Sequence, residues 1–127
     1  MKAHDTQNFK VAEFNCHHCG ENLIDQRVLN MCQTIREALG VPVRVNSGYR
    51  CEYHNSRIGG VRNSKHTKGL AADLSCSLGA PRMFEVVKDL KAQGKLPDMD
   101  YCILYKRKNF IHIDCGGKRK NLYEIRP

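Results

Sequence analysis

Ser64-Lys65-His66-Thr67-Lys68-Gly69-Leu70-Ala71-Ala72-Asp73 is a polar approach to a turn, followed by an apolar run that ends on a carboxylate. Gly69 gives the chain freedom to reverse after His66, and Leu70 to Cys76 has the character of a strand entering a core. Such a strand carries Asp73 back beside His66. Further along, Phe110-Ile111-His112-Ile113-Asp114 alternates with period two. Ile111 and Ile113 are therefore expected to face a core, while His112 and Asp114 share the opposite face. Two imidazoles and a carboxylate suit Zn²⁺, and three protein ligands leave a fourth position for water, the mark of a catalytic site. Zinc in such a place lowers the pKa of bound water towards neutrality.

Working outward, Ile24, Val28, Met31, Cys32, Ile35 and Leu39 recur at helical spacing, and Gly40 with Pro42 stops that helix. Val41 to Asn46 reads as a short strand with Val43 and Val45 on one face. Ser56 to Gly69, with Gly59-Gly60 inside it, is too rich in glycine, asparagine and serine to be one regular element, so it is expected to be the longest loop. Pro81 opens a second helix to about Gln93, with Phe84, Val87 and Leu90 inward. Tyr101 to Tyr105 and Phe110 to Cys115 form a hairpin around the polar tip Lys106-Arg107-Lys108-Asn109. Strands and helices without regular βαβ alternation predict an α+β domain with a small antiparallel sheet and flanking helices.

At 127 residues the chain is expected to be a single domain, residues 1–127, and a monomer. Its hydrophobic fraction of 41% supports one modest core, and no apolar run approaches a membrane span. Met1 to Lys10 lacks the apolar stretch of a secretory signal, which predicts synthesis in the cytoplasm. The net charge of +8, concentrated at Lys106-Arg107-Lys108 and Lys118-Arg119-Lys120, favours nucleic acid, anionic lipid or an anionic cell wall. Seven cysteines in a leaderless chain read as reduced thiols, buried or metal-bound; a disulfide framework would leave one over. Outside the membrane, Cys51 and Cys76 would become oxidation sites.

The ordered set Ser47-Gly48-Tyr49-Arg50, Ser-x-His-x-x-Gly-x-Ala-x-Asp ending at Asp73, and Ile-His-Ile-Asp ending at Asp114 resembles the M15 zinc peptidases. That group includes D-Ala-D-Ala carboxypeptidases and phage L-alanyl-D-glutamate endolysins, and hedgehog signalling domains share its fold. The resemblance covers about Phe9 to Gly116. It implies the hedgehog/DD-peptidase fold, zinc on His66, Asp73 and His112, and a peptidoglycan stem-peptide substrate. It also implies Arg50 on the substrate carbonyl or carboxylate, with Ser64 near the substrate. A guanidinium suits that task, since it stabilises an oxyanion or clamps a carboxylate. Tyr49 and Tyr53 are candidates for the cleft wall, with core packing as the competing use.

One departure matters. The family places an acidic base three or six residues before the last histidine, and those positions hold Asn109 and Lys106. Asp114 is the nearest acid and carries two readings, a general base or a carboxylate that orients a ligand histidine. Arg50 likewise has a second use as the partner of a structural carboxylate. His4 and His54 read as ordinary surface or core residues.

Cys16-His17-His18-Cys19 is a second candidate metal site that needs further ligands, with His17, His18, Cys51 or Cys115 available; the alternative is a thiol pair without metal. Three functions follow. The first is a zinc metallopeptidase of the bacterial wall, acting as a phage lysin or as an exported enzyme whose leader was removed. The second is a zinc-stabilised wall-binding module without a working base. The third, a zinc nuclease, ranks last: it needs another cysteine or histidine pair and a ββα pattern, neither of which appears. Nucleic acid is therefore not the expected partner, nor is insertion into a membrane.

Overall fold

The computed structural model describes residues 2–117 and 120–127, so Lys118 and Arg119 of the second basic cluster lie outside it. The elements in chain order are α1 (Gln26–Leu39), β1 (Val43–Ser47), α2 (Glu52–Arg57), β2 (Ala71–Cys76), α3 (Ala80–Ala92), β3 (Tyr101–Tyr105), β4 (Phe110–Asp114) and β5 (Tyr123–Arg126). Short 3-10 turns occupy Val11–Phe14 and Lys65–Lys68.

Helix α1 starts where the Asp25 carboxylate accepts the Arg27 N–H, and ends at Gly40, whose φ of 72° suits a residue without Cβ. Its buried stripe is Val28, Leu29, Met31, Cys32, Ile35 and Leu39. Helix α3 carries Pro81 in its first turn and buries Met83, Phe84, Val87 and Leu90. Both helices join one apolar core with Ala72, Leu74, Cys102, Leu104, Ile111 and Ile113 of the sheet. A fully buried isoleucine contributes about 1.5–3 kcal/mol through removal of its surface from water, so Ile111 and Ile113 anchor β4 firmly.

The sheet runs β1-β2-β4-β3-β5. The first three pairings are antiparallel, and β5 adds one parallel pairing to β3, so the sheet is mixed. The α+β architecture is as expected; the fifth strand, short and half polar, is an addition to it. Within the expected long loop, α2 ends at Arg57 and a 3-10 turn precedes Gly69.

Register does the decisive work. Ser47 pairs with Asp73, Asp73 with His112, His112 with Ile103, and Ile103 with Glu124. Paired residues share a sheet face, so this row lies opposite the core. An irregularity between Val45 and Ser47 shifts the register at the end of β1, where the chain enters the site.

Candidate metal centre

His66 sits on the turn Lys65–Lys68, which Ser64 caps by accepting the His66 N–H at 3.2 Å. The turn closes at Gly69, φ 72°, where an added Cβ would lie 1.9 Å from the Leu23 carbonyl oxygen. Only glycine fits there. The chain then enters β2, and Asp73 arrives beside His66.

The outer hydrogen bond of each imidazole assigns the tautomer that a bound metal would select. His66 Nδ1 lies 2.7 Å from the Gly48 carbonyl oxygen. A carbonyl only accepts, so Nδ1 donates and Nε2 keeps its lone pair. Likewise His112 Nε2 donates to the Asp114 carboxylate at 2.8 Å, leaving the Nδ1 lone pair inward. Both inner nitrogens face the same oxygen, Asp73 Oδ1, at 3.1 Å from His66 and 3.0 Å from His112. The ligand atoms of all three residues lie within 4.8 Å of one another. Three electron-rich atoms converge on a point that demands a cation, and an N,N,O donor set of this size fits Zn²⁺.

Electrostatics agree. Burial alone would raise the Asp73 carboxyl, but His66 and His112 hold it well below the usual carboxylate range. Burial opposes charge on His112 too, yet Asp114 and Asp73 outweigh it and bring the imidazole up to about 9. Without metal, a proton is the cation that occupies this place.

Arg50 supports the acid. Its Nη2 donates to Asp73 Oδ2 at 3.1 Å, Nε to Ser47 Oγ at 2.9 Å and Nη1 to Asn55 Oδ1 at 3.0 Å. Asn55 in turn donates to the Val61 carbonyl at 2.9 Å, and a Cβ on Gly60 would lie 2.1 Å from its Oδ1. Gly48 needs its bare Cα as well, because a Cβ would meet Phe14 Cα at 2.6 Å.

A cleft of about 690 Å³ opens over the cluster. His66, Asp73, His112, Arg50 and Ser64 all line it. So do Arg62, Lys65, Lys108 and Arg126, while Asp73 is the acid among the described lining residues. Asp114 is absent from that lining: it is fully buried and meets the outward nitrogen of His112. Glu124 shares the sheet face by register, and its carboxylate is engaged by Arg126.

Tyr49 takes the second of its two expected uses, packing. It is buried, with its N–H bonded to the Phe14 carbonyl at 2.8 Å, and the aromatic walls of the cleft are Tyr101, Tyr105 and Phe110. Tyr53 is exposed and outside the cleft. The motif that contains Gly48 and Asn55 was legible in the sequence, but not their roles: Asn55 bridges Arg50 to the Val61 carbonyl, and Gly48 offers only its carbonyl oxygen. Arg126 was missed with its strand.

A family model for peptidase M15 matches residues 7–114. The chain is also similar to the zinc D-Ala-D-Ala carboxypeptidase of Streptomyces albus G, at 49% identity over 43 residues. That match covers 33% of this chain and 17% of the relative's length.

Proposed function

The chain belongs to the peptidase M15 family, and on that premise we propose that it is a zinc metallopeptidase that hydrolyses peptide bonds in peptidoglycan stem peptides. The observation that carries the reading is the convergence of His66 Nε2, His112 Nδ1 and Asp73 Oδ1, with each imidazole's outer nitrogen already committed to another acceptor. These three residues would hold the zinc. When bound, zinc supplies Lewis acidity and lowers the pKa of water.

The remaining residues prepare that chemistry. Gly48 and Asp114 fix the tautomer and direction of the two histidines, as outer partners of metal ligands do. Arg50 fixes Asp73 through one oxygen, leaving the other for the metal, and puts a positive charge on the cleft lining where an oxyanion would develop. Ser64 acts through His66, by capping its turn, and borders the substrate. Arg62, Lys65, Lys108 and Arg126 suit a substrate that carries carboxylates. The basic surface suits an anionic wall, and no helix of the described residues is long and apolar enough to cross a membrane.

One observation favours a second reading, a zinc-stabilised wall-binding module without turnover. Among the described lining residues Asp73 is the acid, and it is committed to the histidines and Arg50. Mass spectrometry of purified peptidoglycan fragments after incubation with zinc-loaded protein separates the two. A peptidase releases new amino termini, and His112→Ala releases none. A binding module retains wall affinity and leaves every fragment at its original mass. The fragment masses also identify the bond that is cut, whether D,D-carboxypeptidase or L-alanyl-D-glutamate endopeptidase.

A further inference from the structure

We propose that Cys16, Cys19, Cys51 and His18 form a second metal site, a thiolate-rich structural zinc centre separate from the His66 cluster. The three sulfurs lie within 4.8 Å of one another, although Cys51 is far from the other two in sequence. His18 Nδ1 lies 3.7 Å from Cys51 Sγ. Zinc–sulfur bonds of about 2.3 Å and zinc–nitrogen bonds of about 2.0–2.1 Å give tetrahedral edges of roughly 3.6–3.8 Å. The observed S···N separation already matches such an edge. His18 is exposed, at the solvent side of the three sulfurs.

The backbone is shaped for this. Cys16 N donates to the Glu21 carbonyl at 2.8 Å, and Gly20 N returns to the Cys16 carbonyl at 2.9 Å, with Gly20 at φ 73°. That tight loop turns the thiols of Cys16 and Cys19 towards the same point. Cys51 N donates to Cys16 Sγ at 3.4 Å, and His54 N donates to Cys51 Sγ at 3.4 Å. N–H groups aimed at sulfur stabilise thiolates. Three crowded sulfurs repel once ionised, and a divalent cation among them removes the repulsion. A disulfide would join two of them and strand the third beside an unused imidazole.

The site has a structural consequence. It would tie the N-terminal segment to Cys51, the residue that follows Arg50. Phe14 of that segment already supports Gly48 and Tyr49 through the Tyr49 N–H bond to its carbonyl. The metal would thereby steady the strand end that presents the Gly48 carbonyl and the Arg50 guanidinium to the catalytic cluster.

Metal analysis of the full chain, purified in reductant and equilibrated with zinc, tests the proposal. Two zinc ions per chain are expected, falling to one in Cys51→Ser and in Cys19→Ser. His112→Ala also falls to one, so the two sites are separable. After cobalt substitution, His112→Ala should keep the sulfur-to-cobalt charge-transfer band and Cys51→Ser should lose it. His18→Ala should weaken cobalt binding at this site at least tenfold, and unchanged binding would overturn His18 as the fourth ligand. A wild-type stoichiometry unaffected by Cys51→Ser, or a His112→Ala protein without the band, overturns the site itself. Because a Cys51 variant could misfold, iodoacetamide labelling of the wild type gives a second measure. Zinc should protect three thiols that a strong chelator exposes. Equal labelling with and without chelator, or a disulfide among the three by intact mass, refutes it.

Discussion

At Asp114 a single carboxylate decides between two chemistries. Its Oδ2 lies 2.8 Å from His112 Nε2, on the far side of the ring from Asp73, and the side chain is fully buried. A base must reach the water it deprotonates. From this position Asp114 instead holds His112, so Asp114→Asn should weaken zinc binding by about 10–100-fold and recover activity in excess zinc. Unchanged zinc affinity with lost turnover would restore the base role. The same pair sets a pH dependence in the metal-free protein. His112 rises from 6.5 to about 9 in the fold, chiefly because Asp114 and then Asp73 overcome the effect of burial. A raised folded pKa contributes stability that is complete below the unfolded value and fades as pH climbs to about 9. Thermal melts of chelator-treated protein should therefore drop between these limits. Zinc, which must displace that proton, should release it to buffer when titrated in at neutral pH. A flat melting temperature across this window, in the presence of chelator, would remove the proton from His112.

At the scale of elements, two glycines with the same backbone make a controlled comparison. Gly69 and Gly40 both have φ of 72°, but a Cβ on Gly69 strikes the Leu23 carbonyl, whereas among the described residues nothing lies within 4 Å of one on Gly40. Gly40→Ala should cost about 1–2 kcal/mol, the left-handed backbone alone. Gly69→Ala should cost clearly more and reduce zinc affinity, because the turn that delivers His66 must move. Equal losses in chemical denaturation would show that the turn yields freely. Elements with strong periodicity were legible beforehand. Helix α1 ends at Leu39 before Gly40, α3 carries Pro81 in its first turn, and the hairpin strands run Tyr101–Tyr105 and Phe110–Asp114. Period two along β4 put His112 and Asp114 on one face, as the register confirms. What escaped has a physical reason. Strand β5 is four residues, none of them buried, too short for a period to show, and α2 is six residues capped by the Cys51 sulfur, which accepts the His54 N–H. The Gly48 carbonyl and the Asn55 bridge are tertiary facts, written in a close approach to Phe14 and in a loop closing over Gly60. Alternation alone also left open which nitrogen of His112 Asp114 meets.

The molecule as a whole is a strong cation, at +8, and part of that charge is focused on the mouth of the cleft by Arg62, Lys65, Lys108 and Arg126. Exposed charges act over about 10 Å at 0.1 M salt and about 3 Å at 1 M, so their contribution to capture is screened while a buried metal cluster is not. For an anionic stem peptide, kcat/KM should fall severalfold between these salt concentrations, mostly through KM. An amidated peptide of the same length, lacking the carboxylates, should show a much shallower slope. Charge reversal locates the effect. Arg62 and Lys108 are exposed on the cleft rim, so Arg62→Glu and Lys108→Glu should each raise KM for the anionic peptide at low salt and leave kcat and zinc content unchanged. Lys2 is also exposed but outside the cleft lining, and Lys2→Glu changes net charge by the same amount. If it raised KM equally, the cleft cations would be ordinary surface charge and the steering would belong to the net charge alone. A change confined to the rim variants would tie substrate capture to the cleft, with the peptide's own carboxylates as the complement.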